Sequence, residues 1–243
     1  NGATDVVVDG NIFENFHYAA LGSMTIAARR ISFTNNRVKG PGASVLGVDV
    51  NRRNCMGAVL LGENILFSNN EVYDTSSGVI IGESTKNAIV ANNLLHDLIN
   101  EHGVYVDSGV VNVALIGNTV RNTGPSGDGL KIQHYTAQGG TPQNCVIVGN
   151  TTENTGGAGI SVLNSIPGAS PTRGAGITIT GNQIRYAGGV GISARYWNDI
   201  NISSNSISVT GLEGIAINGC NDGQISNNHI SNTQRNGIYT GTV

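Results

Sequence analysis

Two seven-residue stretches hold the densest constellation of reactive side chains in this chain. E-H-G-V-Y-V-D at 101–107 supplies Glu101, His102, Tyr105 and Asp107, and D-G-L-K-I-Q-H at 128–134 supplies Asp128, Lys131, Gln133 and His134. Charged residues make up only 12% of the sequence, so the closeness of Glu101, Asp107, Asp128 and Lys131 in two stretches marks a candidate site. Two chemistries suit them. A base (Lys131, Tyr105 or His134) could take a proton adjacent to a carboxylate, with Arg195 as the cation that neutralises that carboxylate. Alternatively, two carboxylates could flank a glycosidic bond, as Glu83 with Asp107 or Asp107 with Glu101 or Asp128. Tyr196, Asn218 and Trp197, the sole tryptophan, stand further along the chain. Trp197 reads either as a stacking platform for a sugar ring or as a residue packed on an edge.

These residues are far apart in sequence, and a repeat is what would bring them together. A short alternating strand ending in Asn recurs as VVVDGN, ISFTNN, ILFSNN, AIVANN, VALIGN, CVIVGN, ITITGN, INISSN and GQISNN. The closing asparagines are Asn11, Asn36, Asn70, Asn93, Asn118, Asn150, Asn182, Asn205 and Asn228, with a base spacing of 23 residues and longer intervals where segments are inserted. A second apolar position follows two residues after each Asn, from Phe13 to Ile230. A third strand then opens with Gly, as in GVIIGE, GVYVDS, GLKIQH and GISVLN.

No such strand can bury its own apolar face, so the pattern predicts coils stacked at about 4.8 Å, each strand pairing in parallel with its equivalent in the next coil. The fold class is all-β: a parallel β-helix of about nine three-strand coils, with residues 1–243 as one domain. One inward ladder should run Val8, Phe33, Phe67, Val90, Leu115, Ile147, Ile179, Ile202, Ile225. The recurring Asn should sit in a left-handed turn and hydrogen-bond along the stack. On the third strands an outward row should read Ile80, Tyr105, Lys131, Ser161, Ser193, Ala216, Tyr239, beside a second row of Gly82, Asp107, Gln133, Leu163, Arg195, Asn218. Glu83, His134 and Tyr196 lie just beyond. Insertions at 39–56, 134–144 and 163–175 are expected to wall this face.

The Gly-Ile/Val-x-Val motif followed by I-x-x-N-x-I resembles the repeat of the right-handed β-helices of the pectin-lyase-like superfamily, over residues 5–240. The resemblance implies a right-handed coil and activities such as polysaccharide lyase, glycoside hydrolase, uronan epimerase or phage tailspike depolymerase. It implies no particular catalytic set. The close Asp cluster of pectate lyases, the N-T-D, D-D, G-H-G and R-I-K set of polygalacturonases and the epimerase Y-G-F-D-P-H motif are all absent; G-V-Y-V-D-S occupies a strand comparable to the last of these.

The function expected is cleavage of an extracellular or capsular polysaccharide along the third-strand face, by a lyase or a glycoside hydrolase. The alternatives are a non-catalytic carbohydrate-binding or adhesin β-helix and a uronan C5-epimerase. Catalytic candidates are Asp107, Lys131, Tyr105, His134 and Arg195. Substrate-binding candidates are Glu83, Glu101, His102, Asp128, Gln133, Tyr196, Trp197 and Asn218. A net charge of −3 without a basic stripe argues against nucleic acid as a partner. No apolar run is long enough to span a membrane. Cys55, Cys145 and Cys220 have no metal-ligand spacing, so no metal is expected, and a calcium ion in the groove has no motif behind it. The absence of capping elements suggests an excerpt of a longer, exported chain, its ends covered by neighbouring segments or in a homotrimer.

Overall fold

The computed structural model describes residues 2–43, 55–134, 140–164 and 173–241. Its elements are parallel strands stacked coil on coil. The second strands, from Ile12–Glu14 to His229–Thr233, form one nine-stranded sheet. The first and third strands share a sixteen-stranded sheet instead of forming two. The reason is local. Met56–Ser68 turns a corner without breaking, pairing with Ser77–Ile81 through its first half and with Lys86–Ala91 through its second. Gly62, at φ 131°, makes that corner in a conformation a Cβ would strain.

The inward ladder has the expected register, Val8–Phe33–Phe67–Val90–Leu115–Ile147–Ile179–Ile202–Ile225. The second column runs from Phe13 through Val38, Val72, Leu95, Val120, Thr152, Ile184 and Ile207 to Ile230. Both columns are buried away from the terminal coils, and each buried aliphatic or aromatic side chain contributes about 1.5–3 kcal/mol. The glycines that open the third strands are demanded by proximity. A Cβ on Gly78 would lie 2.2 Å from the Gly103 carbonyl oxygen, and one on Gly103 would lie 2.5 Å from that of Gly129.

The asparagine ladder is continuous. Each Nδ2 donates to the Oδ1 of the next Asn at 2.9–3.1 Å, from Asn11 to Asn228. The turn differs from expectation by one position. The left-handed residue is the one before the ladder Asn: Gly10, Asn35, Asn69, Asn92, Gly117, Gly149, Gly181, Ser204 and Asn227. That residue turns the chain, and the ladder Asn is thereby left free to point its amide inward.

Candidate functional site

On the third strands the outward row reads Ile80, Tyr105, Lys131, Ser161, Ser193, Ala216, Tyr239, rung by rung. Tyr105 and Lys131 are thus side by side on strands Val104–Val106 and Leu130–His134. Above them lies a cavity of about 530 Å³ lined by Ile80, Asn100, Glu101, His102, Tyr105, Ser126, Lys131 and Gln133. Five residues of the sequence-derived set therefore line one cavity: Glu101, His102, Tyr105, Lys131 and Gln133.

His102 is the hinge of the site. Its Nδ1 accepts the backbone N–H of Asp128 at 2.8 Å, so the neutral ring carries its proton on Nε2. Nε2 faces Lys131 Nζ at 3.4 Å, and the ring stacks on Tyr105 with centroids 5.7 Å apart. Burial, and then the Lys131 cation, hold the His102 pKa below its ordinary value, against the opposing pull of Asp128 and Glu101. Two hydrogen-bond donors that face each other in this way make a site for an acceptor, and an anionic oxygen suits it best.

Asp128 supports this pair from below. Its Oδ1 accepts the Ala158 N–H and its Oδ2 the Ser161 hydroxyl, each at 2.7 Å, and Oδ2 lies 3.5 Å from Lys131 Nζ. Asp128 is 8% exposed and its oxygens are engaged. It positions Lys131 and, through its backbone, His102; it does not present a free carboxylate to a ligand. Glu101 accepts from Ser77 Oγ at 3.0 Å.

Other expected residues lie elsewhere. His134 continues the inward alternation of Leu130 and Ile132 and is buried, so it does not face the cavity as a base. Trp197 opens the strand Trp197–Ser203 and is completely buried, its Nε1 donating to the Val162 carbonyl at 3.1 Å; it is a core residue and no sugar platform. Arg195 is exposed, two rungs beyond Gln133 in the outer row, with Asn218 a rung further, and neither lines the cavity. Tyr196, half-buried with φ 59°, stands at the adjoining corner. Asp107 is half-buried beside Ser108, and burial raises its pKa, with Glu83 adding to the effect. Glu83 and Asp107 form a separate electrostatic pair outside the cavity lining. Residues 44–54, 135–139 and 165–172, the bulk of the expected walls, lie outside the described residues. Asn100 and Ser126 were not anticipated; the N-E-H and P-S-G turns entering the third strands were their only signal.

The family model described as "Right handed beta helix region" matches residues 102–242, and the one described as "Periplasmic copper-binding protein (NosD)" matches residues 1–170. The chain belongs to the right-handed β-helix family. The pectin-lyase-like likeness of the repeat holds with it. The NosD match brings copper into question. Among the described residues no three His, Cys, Asp or Glu side chains are grouped to hold a metal ion. Cys55 and Cys145 are buried, and burial pushes the Cys145 thiol up to about 12, the reverse of what a thiolate ligand needs. These donors do not fit a copper ion.

Solved β-helix structures resemble this one. They include the Streptococcus pneumoniae surface adhesin PfbA (TM-score 0.78, 15% identity, 97% of this chain and 62% of that one). They also include the catalytic unit of a GH87 α-1,3-glucanase from Streptomyces thermodiastaticus (TM-score 0.59, 14%, 93% and 48%). A third is the mannuronan C-5 epimerase AlgE6 A-module of Azotobacter vinelandii (TM-score 0.50, 14%, 99% and 80%). The chain thus spans about half to two thirds of the length of the first two. No curated protein sequence matches it. No helix among the described residues is long and apolar enough to cross a membrane.

Proposed function

We propose that this β-helix binds a uronate-bearing polysaccharide across its third-strand face and cleaves it by β-elimination at the Tyr105–Lys131 cavity. The observation that carries the reading is the donor pair, Lys131 Nζ and His102 Nε2–H, 3.4 Å apart on the lining of one cavity. A uronate carboxylate seated there has its charge neutralised, which acidifies the proton on the adjacent carbon. Tyr105, paired with Lys131 across the rung and stacked on His102, takes that proton as its phenolate. The electron pair then forms a double bond to the next carbon and expels the glycosidic oxygen, which takes the proton from the Tyr105 hydroxyl and so restores the phenolate. His102 is a donor in this scheme and not the base, because its Nδ1 is committed to the Asp128 N–H. Glu101, Asn100, Ser126 and Gln133 orient the sugar, and Arg195 and Asn218 meet units further along a chain that crosses the rungs. A rung spacing of about 4.8 Å is close to the advance of one sugar.

The names of two structural neighbours, a mannuronan epimerase and an α-1,3-glucanase, support a polysaccharide ligand. A surface adhesin and a periplasmic family name support a place outside the cytoplasm. The test is digestion of polymannuronate, polyguluronate, polygalacturonate, hyaluronan and a neutral β-glucan, following ultraviolet absorbance of unsaturated ends and total reducing ends. Absorbance should rise with at least one polyuronate and vanish in Tyr105→Phe and Lys131→Met. Reducing ends without absorbance would replace elimination by hydrolysis. Binding without product would leave an adhesin-like module, and no binding at all would end the proposal.

A further inference from the structure

A second groove runs along a different edge of the stack, at the corner between second and third strands. It holds about 480 Å³ and shares no lining residue with the first cavity. Its lining comes from successive coils: Thr123; Asn154 to Gly156; Tyr186 to Gly188; Val209 to Gly211; Asn232 and Gln234. None of these carries a charge at neutral pH.

The corner has a left-handed residue in nearly every coil, and the usual occupant is Asn or Asp: Asn15, Asp74, Asp97, Asn122, Asn154 and Asn232. Those types tolerate the conformation. They also bond to one another, Asn122 Nδ2 to Asp97 Oδ1 at 2.7 Å and Asn154 Nδ2 to Asn122 Oδ1 at 3.2 Å. Two successive coils break the pattern. Tyr186 stands there at φ 54° and Val209 at φ 56°, and both side chains are exposed. A β-branched residue in this region is a genuine outlier, and an outlier of this kind argues for use. Here the fold gives up both the favoured residue and the ladder bond, and gains an exposed aromatic ring beside an aliphatic patch.

We propose that this groove is a second carbohydrate site, for a neutral glycan lying along the coil axis. The Tyr186 ring stacks on the apolar face of one sugar, Val209 meets the next, and the Asn154, Asn232 and Gln234 amides bond hydroxyls on either side. An uncharged lining favours neutral sugars, in contrast to the first cavity with its Lys131 and Glu101, so the proposal stands or falls independently of polyuronate cleavage.

The test titrates cellohexaose, laminarihexaose, mannohexaose and xylohexaose into the full chain by calorimetry. The variants are Tyr186→Asn, Val209→Asn and, as a control, Lys131→Met. At least one oligosaccharide should bind, Tyr186→Asn should weaken it about tenfold or more, and Lys131→Met should leave it unchanged. Tyr186→Asn and Val209→Asn should each raise the melting temperature by about 2–4 °C, since Asn relieves the strain. Loss of binding with gained stability separates a lost contact from a lost fold. If none of the four binds, or if binding survives Tyr186→Asn, the proposal is overturned.

Discussion

Replacing Asn118 with Ala tests the idea that the inner asparagine column holds the coils in register. Asn118 is completely buried. Its Nδ2 donates to the Val90 carbonyl at 2.8 Å and to Asn150 Oδ1 at 3.0 Å. Its Oδ1 accepts from the Asn93 backbone at 3.1 Å and from Asn93 Nδ2 at 2.9 Å. Alanine removes all four, at about 1 kcal/mol each in net terms, and leaves the Asn93 backbone N–H and one of its two Nδ2 hydrogens buried without an acceptor, the other still reaching the Phe67 carbonyl. We expect a loss of about 4 kcal/mol, a large part of the stability of an ordinary domain. Asn112→Gly is the control. It cuts similar side-chain bonds, Asn112 Nδ2 to Asn87 Oδ1 and Asn144 Nδ2 to Asn112 Oδ1, but exposed ones, and glycine accepts the φ of 58°. Its cost should stay below about 1 kcal/mol. Urea unfolding followed by far-ultraviolet circular dichroism measures both. Equal costs for the two variants would refute the reasoning, because burial would then add nothing to the ladder's worth.

Two further outcomes follow from buried polar groups. The folded pKa of His102 is depressed, chiefly by burial, whereas the unfolded ring titrates near 6.5. Above that value both states are neutral at this site. As the pH falls below about 6.5 the unfolded chain takes up a proton that the folded chain resists, so stability falls. Urea midpoints measured across this range should decline in the parent and decline less in His102→Gln; identical slopes would remove His102 from the account. Thr152 interrupts an aliphatic column, and its Oγ1 is buried without a hydrogen-bond partner. Thr152→Val keeps the shape and removes the unmet hydroxyl, so it should raise stability by about 1 kcal/mol or more in the same urea assay.

The fold was legible because a period of about 23 residues with alternating strands leaves few ways to bury the apolar positions. Once Phe33, Phe67 and Val90 align, every other register follows. The neighbourhood of Tyr105 and Lys131 was legible for the same reason, since both fall on one outward row. What escaped depended on single-residue phase. Trp197 reads as a sugar platform or an edge residue, but the next strand begins with it, and the left-handed Asp199 shifts the alternation so that Trp197 is buried together with Ile200 and Ile202. His134 ends a strand whose inward members are Leu130 and Ile132, and the insertion after it hid that phase. The role of Asp128 depends on amide and hydroxyl partners at Ala158 and Ser161, one coil away, which no spacing rule identifies. The left-handed corner at Tyr186 and Val209 was equally invisible, because neither type advertises a positive φ.

The most direct measurement for the anionic site is a crystal structure of Tyr105→Phe soaked with a tetrasaccharide from each polyuronate. The account predicts a uronate carboxylate within hydrogen-bonding distance of both Lys131 Nζ and His102 Nε2, with the sugar chain crossing the rungs toward Arg195. A tetrasaccharide bound with its carboxylates turned away from this pair, or no oligouronate in the cavity at all, would contradict it.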